Sequence, residues 1–191
     1  MISDWQKLLE QIEVQKDSLT LATEAEILEF EKRNGIILPA GYKEYCQVFG
    51  QGQIGNAVID IHIPFCYGEF QLERFTKDEK ETLEFHDGDT MYYDEIELNN
   101  YRLLKKLLNF GLVFATICKS QSFFWDLNTY SDDDKSYDIY GMSYHGFVSC
   151  KLGRDFFRFV CDYCLGMKKY DDIPLEFQLE DEDIAWIFHD G

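Results

Sequence analysis

The order of apolar and polar residues in the first quarter of the chain predicts an amphipathic helix. Ile27 and Phe30 lie three positions apart with charged neighbours, as on the buried face of a surface helix. Thr23 and Glu26 have the spacing of a capping box, in which each side chain accepts from a free backbone amide at the helix start. Gly35 can adopt the left-handed conformation that ends many helices. We therefore expect a helix between Thr23 and Gly35.

A second helix is predicted directly after the first. Pro39 suits the first turn of a helix, because the N–H that proline lacks has no partner there. An apolar face follows at helical spacing and consists of Tyr42, Tyr45, Cys46 and Phe49. Glycines from Gly50 onwards then lead the chain toward a strand.

The rest of the chain alternates between helix and strand patterns. Further helices are expected at residues 3–17, 77–85, 99–108 and 154–167, with Thr76 and Glu79 as a capping box and Asn99 or Asn100 as another cap. Strands are expected at residues 57–63, 65–70, 113–118, 123–127, 137–142 and 147–152. These elements predict an α+β fold, in which a mostly antiparallel β-sheet is flanked by the N-terminal helical hairpin and a C-terminal helix. A length of 191 residues fits one domain, residues 1–191.

Charge limits the classes of partner. The chain has 36 acidic and 18 basic residues and a formal charge of -18. This balance argues against direct binding to nucleic acid or to an anionic membrane, and it permits a basic protein partner.

The N-terminal sequence and the cysteines predict a cytoplasmic protein. MISDWQKLLEQIEV carries acidic residues and lacks the basic region and apolar run of a signal peptide. No stretch approaches the roughly 20 apolar residues needed to span a bilayer. Six scattered cysteines in a chain of this length are typical of reduced, buried thiols rather than of a disulfide scaffold.

The helical hairpin resembles the start of the SUKH superfamily, which includes fungal cell-wall assembly regulators and bacterial immunity proteins of polymorphic toxin systems. The residues that carry the resemblance are Ile27, Phe30, Glu31, Gly35, Leu38, Pro39, Tyr42, Phe49 and Gly50. In the second half, an apolar strand, a strand ending in an aromatic residue and an aspartate, and a phenylalanine-rich helix are similar to the later part of the superfamily. The residues in those places are Phe114, Trp125, Asp126, Phe156 and Phe159. The resemblance covers about residues 20–166, between an N-terminal helix and an acidic C-terminal extension.

Patterns for catalysis or cofactor binding are weak, and we expect no catalytic residue, metal or cofactor. The four histidines lie on different predicted elements without metal-ligand spacing. Cys161 and Cys164 form a lone CxxC pair inside a predicted helix, where packing in the core is the favoured interpretation. The glycines of residues 50–55 follow a helix and lack a P-loop lysine. Residues 132–134 could bind calcium, but a solvated acidic turn is favoured because the distal glutamate of a calcium loop is missing.

The resemblance implies a non-enzymatic protein-binding module. The preferred hypothesis is a bacterial immunity protein that neutralises a cognate toxin, for example a nuclease, in the cytoplasm. One alternative is a regulatory or scaffolding domain that is not linked to a toxin. The other is an enzyme of unrecognised type, which a cluster of perturbed acids and a histidine in one deep pocket would favour.

Three acidic segments are candidates for the partner-binding surface, because aromatic residues beside charges are frequent in protein interfaces. The first is a predicted turn with the start of the next strand: Asp132, Asp133, Asp134 and Asp138. The second is the loop 87–95, with Tyr92, Tyr93 and Asp94. The third is the segment after Tyr170, which has eight acids and no lysine or arginine, and in which Trp186 could instead dock the segment onto the domain.

We expect all six cysteines to be free thiols in the native protein. Intact mass spectrometry after alkylation without reductant should therefore find six alkyl groups. A native bridge between Cys161 and Cys164, or stoichiometric zinc, would contradict the core-packing interpretation.

Overall fold

A computed structural model describes residues 2–15, 18–56, 59–64, 72–85, 91–117, 121–170 and 172–189. The helices are α1 (Ile2–Leu9), α2 (Glu24–Asn34), α3 (Ala40–Val48), α4 (Leu72–Phe85), α5 (Glu95–Asn109) and α6 (Phe156–Arg158), which continues as a π-helix over Phe159–Cys164. Short 3-10 helices lie at His145–Phe147 and Leu175–Phe177. The strands are β1 (Glu13–Gln15), β2 (Gly52–Ile54), β3 (Ile59–Ile61), β4 (Gly111–Ile117), β5 (Gln121–Ser131), β6 (Ser136–Ser143), β7 (Val148–Gly153) and β8 (Ile187–His189). The strand predicted at residues 65–70 lies outside the described residues.

The eight described strands form one sheet in the order β1-β8-β2-β3-β4-β5-β6-β7. Every pairing is antiparallel except that of β1 with β8. The prediction of an α+β fold with a mostly antiparallel sheet is therefore confirmed.

Helices cover both faces of the sheet, and each face has its own apolar cluster. On the first face, α1, α3 and α6 pack together over the larger cluster. This cluster contains six of the residues that carry the family resemblance: Phe30, Leu38, Tyr42, Phe49, Trp125 and Phe156. On the second face, α4 and α5 pack on β4 and enclose a smaller cluster around Leu104 and Phe124.

The caps of the helical hairpin follow the sequence pattern. The Thr23 side chain accepts from the amide of Glu26, and the Glu26 carboxylate accepts from the amide of Thr23, so the capping box is complete. Gly35 has a φ of 65°, as a left-handed C-cap requires. Pro39 lies one position before α3.

Two other cap predictions are wrong. The fourth helix begins at Leu72, so Thr76 lies inside it; its hydroxyl donates to the Leu72 carbonyl and accepts from the amide of Val113 on β4. The fifth helix begins earlier than predicted, because Asp94 and Glu97 form its capping box. In both cases the polar residue predicted as the cap lies inside the helix.

The two terminal helices are shorter than predicted. Residues 13–15, expected in the first helix, form β1 and pair with residues 187–189. The last helix changes to π-helical hydrogen bonding after Arg158 and ends at Cys164. Tertiary pairing thus overrides helix propensity at the N-terminal end.

The C-terminal extension is part of the domain core. Phe177 and Phe188 are fully buried, and Trp186 packs partly buried against the larger cluster. Both phenylalanines lie against glycines: a Cβ on Gly141 would lie 2.7 Å from the Phe177 ring, and one on Gly52 would overlap the Phe188 ring. Because β8 lies between β1 and β2, the extension also completes the sheet.

A chain of polar side chains is buried beneath α4. The imidazole Nε2 of His62 lies 3.2 Å from the Thr116 hydroxyl, and its ring stacks on Phe75. Thr116 is the cross-strand neighbour of Ser122, whose hydroxyl donates to the Glu79 carboxylate over 2.6 Å. Burial lowers the pKa of His62 to about 3 and raises that of Glu79.

Phe156→Ala should lower the free energy of unfolding by about 3–5 kcal/mol, because it leaves a cavity between the helices and the sheet. Phe85→Ala is the matched control: Phe85 is 79% exposed, so its loss should cost less than about 0.5 kcal/mol. Urea denaturation measures both. Equal costs would mean that the aromatic cluster does not hold the fold together.

The buried His62 should make the protein less stable as the pH falls. Its pKa is about 3 in the folded protein, against about 6.5 when unfolded. Protonation therefore favours the unfolded chain, and the stabilisation that is complete above pH 6.5 is lost progressively toward pH 3. Between about pH 7 and pH 5 the loss through His62 should be about 2 kcal/mol.

Urea denaturation of the native protein and of His62→Gln at both pH values tests this. The variant keeps a polar, neutral group and should lose about 2 kcal/mol less than the native protein over the same interval. Glu79 titrates in both proteins, so its contribution cancels in the comparison. Identical pH dependence would contradict a buried, neutral His62.

Candidate partner-binding surface

The first candidate segment is the tip of the hairpin between β5 and β6. Ser131 and Ser136 are paired across the hairpin, and residues 132–135 form the turn. The Ser131 hydroxyl accepts from the amide of Asp133 at 3.2 Å, and the Asp134 carboxylate accepts from the amide of Ser136 at 3.2 Å. Lys135 has a φ of 49°, which closes the turn in the left-handed region. Side chain to backbone bonds of this kind explain why the polar sequence folds as a tight turn.

Arg154 fixes this tip from the adjacent strand end. Its guanidinium donates to both carboxylate oxygens of Asp134, at 2.6 and 3.1 Å, and to Asp138 at 2.7 Å. It also donates to the carbonyls of Thr129 and Ser136, at 3.0 and 2.9 Å. One side chain thus binds both strands of the hairpin, and bidentate pairing with Asp134 sets the orientation of the tip.

The same contacts neutralise two of the four predicted acids. Hydrogen bonds from Arg154 lower the pKa of Asp134. Asp138 is buried, which alone would raise its pKa, but hydrogen bonds from Lys151 and Arg154 outweigh burial and lower it. The structure brings Asp134 and Asp138 together in an internal ion-pair network. Through Arg154, these two carboxylates hold the hairpin in place.

Asp132, Asp133 and Asp134 are all exposed at the tip, and among them Asp134 is paired with Arg154. Beside them, the rings of Tyr130 and Tyr137 are 5.2 Å apart, and the Tyr137 hydroxyl donates to the Ile37 carbonyl over 2.7 Å. Ile37 itself is 48% exposed on the connection between α2 and α3. This surface therefore combines two carboxylates with tyrosine and aliphatic area.

The connection between α2 and α3 is held rigidly beside the tip. The Ala40 amide donates to the Lys135 carbonyl at 3.2 Å. The Glu31 carboxylate accepts from the Leu38 amide at 2.7 Å and from the Lys43 ammonium at 2.9 Å. The hairpin tip and the connection between α2 and α3 are thus both held in place by hydrogen bonds within the protein.

The second candidate segment has mostly structural roles where it is described. Tyr92 is 79% exposed, whereas the Tyr93 ring packs against Tyr101 and Phe147. Asp94 is the N-cap of α5. The first residues of this loop, 87–90, lie outside the described residues. Of the three residues predicted here, only Tyr92 presents a large exposed side chain.

The third candidate segment, after Tyr170, is docked rather than extended. The acids at positions 180–183 form a turn. The backbone carbonyl of Asp183 accepts from the backbone amide of Asn56 at 2.9 Å. The Asp181 carboxylate lies 3.7 Å from the Lys169 ammonium. Within this docked segment, the side chains of Asp181 and Glu182 are exposed.

The described residues do not form an evident catalytic centre. No group of three or more histidine, cysteine or acidic side chains among them is arranged to hold a metal ion. Of the cysteines, the structure describes Cys46, Cys150, Cys161 and Cys164 as free thiols. Burial raises the pKa of Cys150 and of Cys161 to about 12, so these thiols stay protonated and are poor nucleophiles at neutral pH. Cys66 and Cys118 lie outside the described residues.

Two clefts on the described surface do not contain the buried histidine. A cleft of about 440 Å³ lies between the C-terminal extension and the end of the π-helix, and one of about 520 Å³ lies between α1 and α6. Their described lining includes no histidine, and His62 is 1% exposed. The helices of the described residues also include none long and apolar enough to cross a membrane.

Arg154 is the residue of this candidate surface that the sequence analysis does not predict. The sequence pattern predicts Arg154 as the first residue of a helix, yet it precedes Asp155, the N-cap of α6. The signal in the sequence is faint: two basic residues, Lys151 and Arg154, lie on either side of Leu152 and Gly153. Only the antiparallel register of β6 and β7 brings them to Asp138.

Comparison with known proteins places the chain in a family. Searches of curated proteins and of solved structures found no match. A family model described as SMI1 / KNR4 family (SUKH-1) matches residues 21–159, which is well over half of the chain and close to the extent predicted from the sequence. The chain therefore belongs to the SMI1 / KNR4 family (SUKH-1).

Proposed function

We propose that this protein is a non-enzymatic immunity protein that binds and neutralises a cognate toxin in the cytoplasm. Family membership supports a protein-interaction module of this general kind. The observation that carries the finer proposal is the hairpin tip, where Arg154 holds two acids so that Asp132 and Asp133 project from a rigid support. We propose that the tip, with Tyr130 and Ile37, is the centre of the toxin-binding surface.

Rigidity favours binding because a fixed surface loses little conformational entropy when a partner arrives. Here the turn, the two strands and the connection between α2 and α3 are joined by hydrogen bonds before binding. Asp134 and Asp138 are paired internally, so a partner does not need to compensate their charges. Asp132 and Asp133 can pair with basic groups of a partner, while the half-buried Tyr130 and the exposed Ile37 supply apolar contact area.

A nuclease is the toxin class that suits these charges best. A nuclease must hold polyanionic nucleic acid, and its active face is therefore often basic. A protein of formal charge -18 attracts such a face over long range and could occlude it. Exposed acids at the tip would then fix the orientation of the encounter.

A regulatory or scaffolding domain without a toxin partner is the alternative within this family. It would use the same type of surface for a different protein. The gene next to this one discriminates between the two: a toxin gene directly upstream favours immunity, and its absence favours regulation.

Asp132→Asn/Asp133→Asn should slow association with the neighbouring toxin about five-fold at low salt and weaken the salt dependence of the on-rate. Glu10→Gln/Glu84→Gln is the matched control, since it removes the same charge from exposed positions outside the three candidate segments and should have a smaller effect. Surface-binding kinetics at two ionic strengths measure both variants.

Three results would decide the case. Slower association of the tip variant alone supports the proposed surface. Equal slowing in both variants would mean that only net charge matters, and the tip would not be the interface. If neither salt nor either variant changes the on-rate, charge does not drive association with the toxin.

A further inference from the structure

The second half of helix α5 presents an outer surface that is both basic and apolar. Arg102 and Lys106 are exposed there, and beside them Leu103 is 48% and Phe110 54% exposed. Lys106 lies four positions after Arg102, three after Leu103 and four before Phe110, so the four side chains share one side of the helix and its C-cap. The opposite side of the helix packs into the smaller cluster. We call these four residues the basic patch.

Acidic residues are absent around the basic patch in the sequence. None of the 36 acidic residues lies between Leu98 and Trp125, although four of the 18 basic residues do. The positions three and four residues away from Arg102 and Lys106 hold no acid, so neither can form an ion pair along the helix. Neither makes a salt bridge within the part of the chain that the structure describes. Their charges are therefore available to a partner.

The neighbouring helix α4 does not supply the missing acids. Its charges pair along their own helix, with Arg74 and Asp78 at 3.6 Å and Lys77 and Glu81 at 3.4 Å. The Lys80 ammonium instead points toward α5 and donates to the carbonyl of its last residue at 3.3 Å. This contact adds a further positive charge near the basic patch.

Helix stability alone does not explain the basic patch. Cations near the C-terminal end of a helix interact favourably with its dipole, but the effect falls off within the last turn. Lys106 lies in that turn of α5, whereas Arg102 lies seven positions before the last residue. The dipole also gives no reason for the exposed Leu103 and Phe110 beside them. Apolar side chains grouped with unpaired charges are typical of an interaction surface.

Three classes of partner carry the negative charge that this patch would bind: nucleic acids, anionic membranes and acidic protein segments. An extended polyanion or a membrane meets the whole protein, whose formal charge of -18 repels it. A short protein segment meets only the patch, because charges more than about 8 Å away are largely screened at physiological salt. A protein segment also offers apolar side chains to Leu103 and Phe110, which phosphate groups do not. The observations thus favour an acidic protein segment.

We propose that the basic patch is a second protein-binding surface, which binds an acidic amphipathic helix of a partner protein. Carboxylates one turn apart on that helix pair with Arg102 and Lys106, and its apolar side chains pack on Leu103 and Phe110. This partner is different from the basic toxin, which the cations of α5 would repel. The inference goes beyond the proposed function and uses no residue of the hairpin tip, so the two proposals stand or fall separately.

The contact is short, and binding is therefore weak and reversible. Leu103 and Phe110 are seven positions apart, which corresponds to about 10 Å along a helix. A partner helix of two or three turns covers this length, and it buries less area than a standard protein interface. Because such a contact has few anchor residues, the loss of one charged pair should weaken it strongly.

Display selection of random peptides of about four helical turns on the full protein tests the class of partner. Selected peptides should combine aspartate or glutamate with leucine or aromatic residues at helical spacing. Selections dominated by basic peptides, or by acidic peptides without apolar residues, would contradict the proposal. So would a native protein that selects no peptide but binds duplex DNA or phosphatidylserine vesicles through Arg102 and Lys106.

Fluorescence anisotropy with a selected acidic peptide tests the location. Arg102→Glu/Lys106→Glu should weaken binding at least about ten-fold, and Leu103→Ser should also weaken it. Lys7→Glu/Lys32→Glu is the matched control: it makes the same change of charge at exposed positions on α1 and α2 and should bind like the native protein. Circular dichroism checks that all variants remain folded.

Two outcomes of this titration would overturn the proposal. Equal weakening by both charge variants would mean that the peptide responds to net charge and not to the basic patch. Unchanged binding in Arg102→Glu/Lys106→Glu would place the peptide on another surface. The toxin-binding kinetics of the same variant keep the two proposals apart, because they should equal those of the charge control.

Discussion

The packing of Phe156 is the interaction on which the rest of the structure depends. Its ring centroid lies 5.1–6.0 Å from those of Trp5, Tyr42, Tyr45, Phe114, Trp125 and Phe159. These rings belong to α1, α3, two central strands and the π-helix, so one side chain joins both ends of the chain to the sheet. Aromatic pairs at such distances add directional contacts to the burial of apolar area.

Three consecutive residues connect this core to the candidate binding surface. Phe156 enters the core, Asp155 caps α6, and Arg154 binds both strands of the acidic hairpin. The position of the hairpin tip is therefore set by the same turn that positions the central aromatic ring.

The sequence predicted the fold class, the helical hairpin and the buried aromatic residues, because these depend on local periodicity and caps. It failed where long-range pairing decides the structure. Residues 13–15 form a strand only because β8 lies beside them, and Thr76 is buried by its bond to the Val113 amide. At the site, composition identified the acidic turn, but the internal pairing of Asp134 and Asp138 depends on a register that no local pattern shows.

Hydrogen exchange of the protein with and without the neighbouring toxin tests the central claim most directly. If the hairpin tip is the interface, amides of residues 130–138 and of the connection at 36–40 should be protected in the complex, while those of α5 should be unchanged. Protection confined to α5, or to the C-terminal extension with the tip unaffected, would contradict the account.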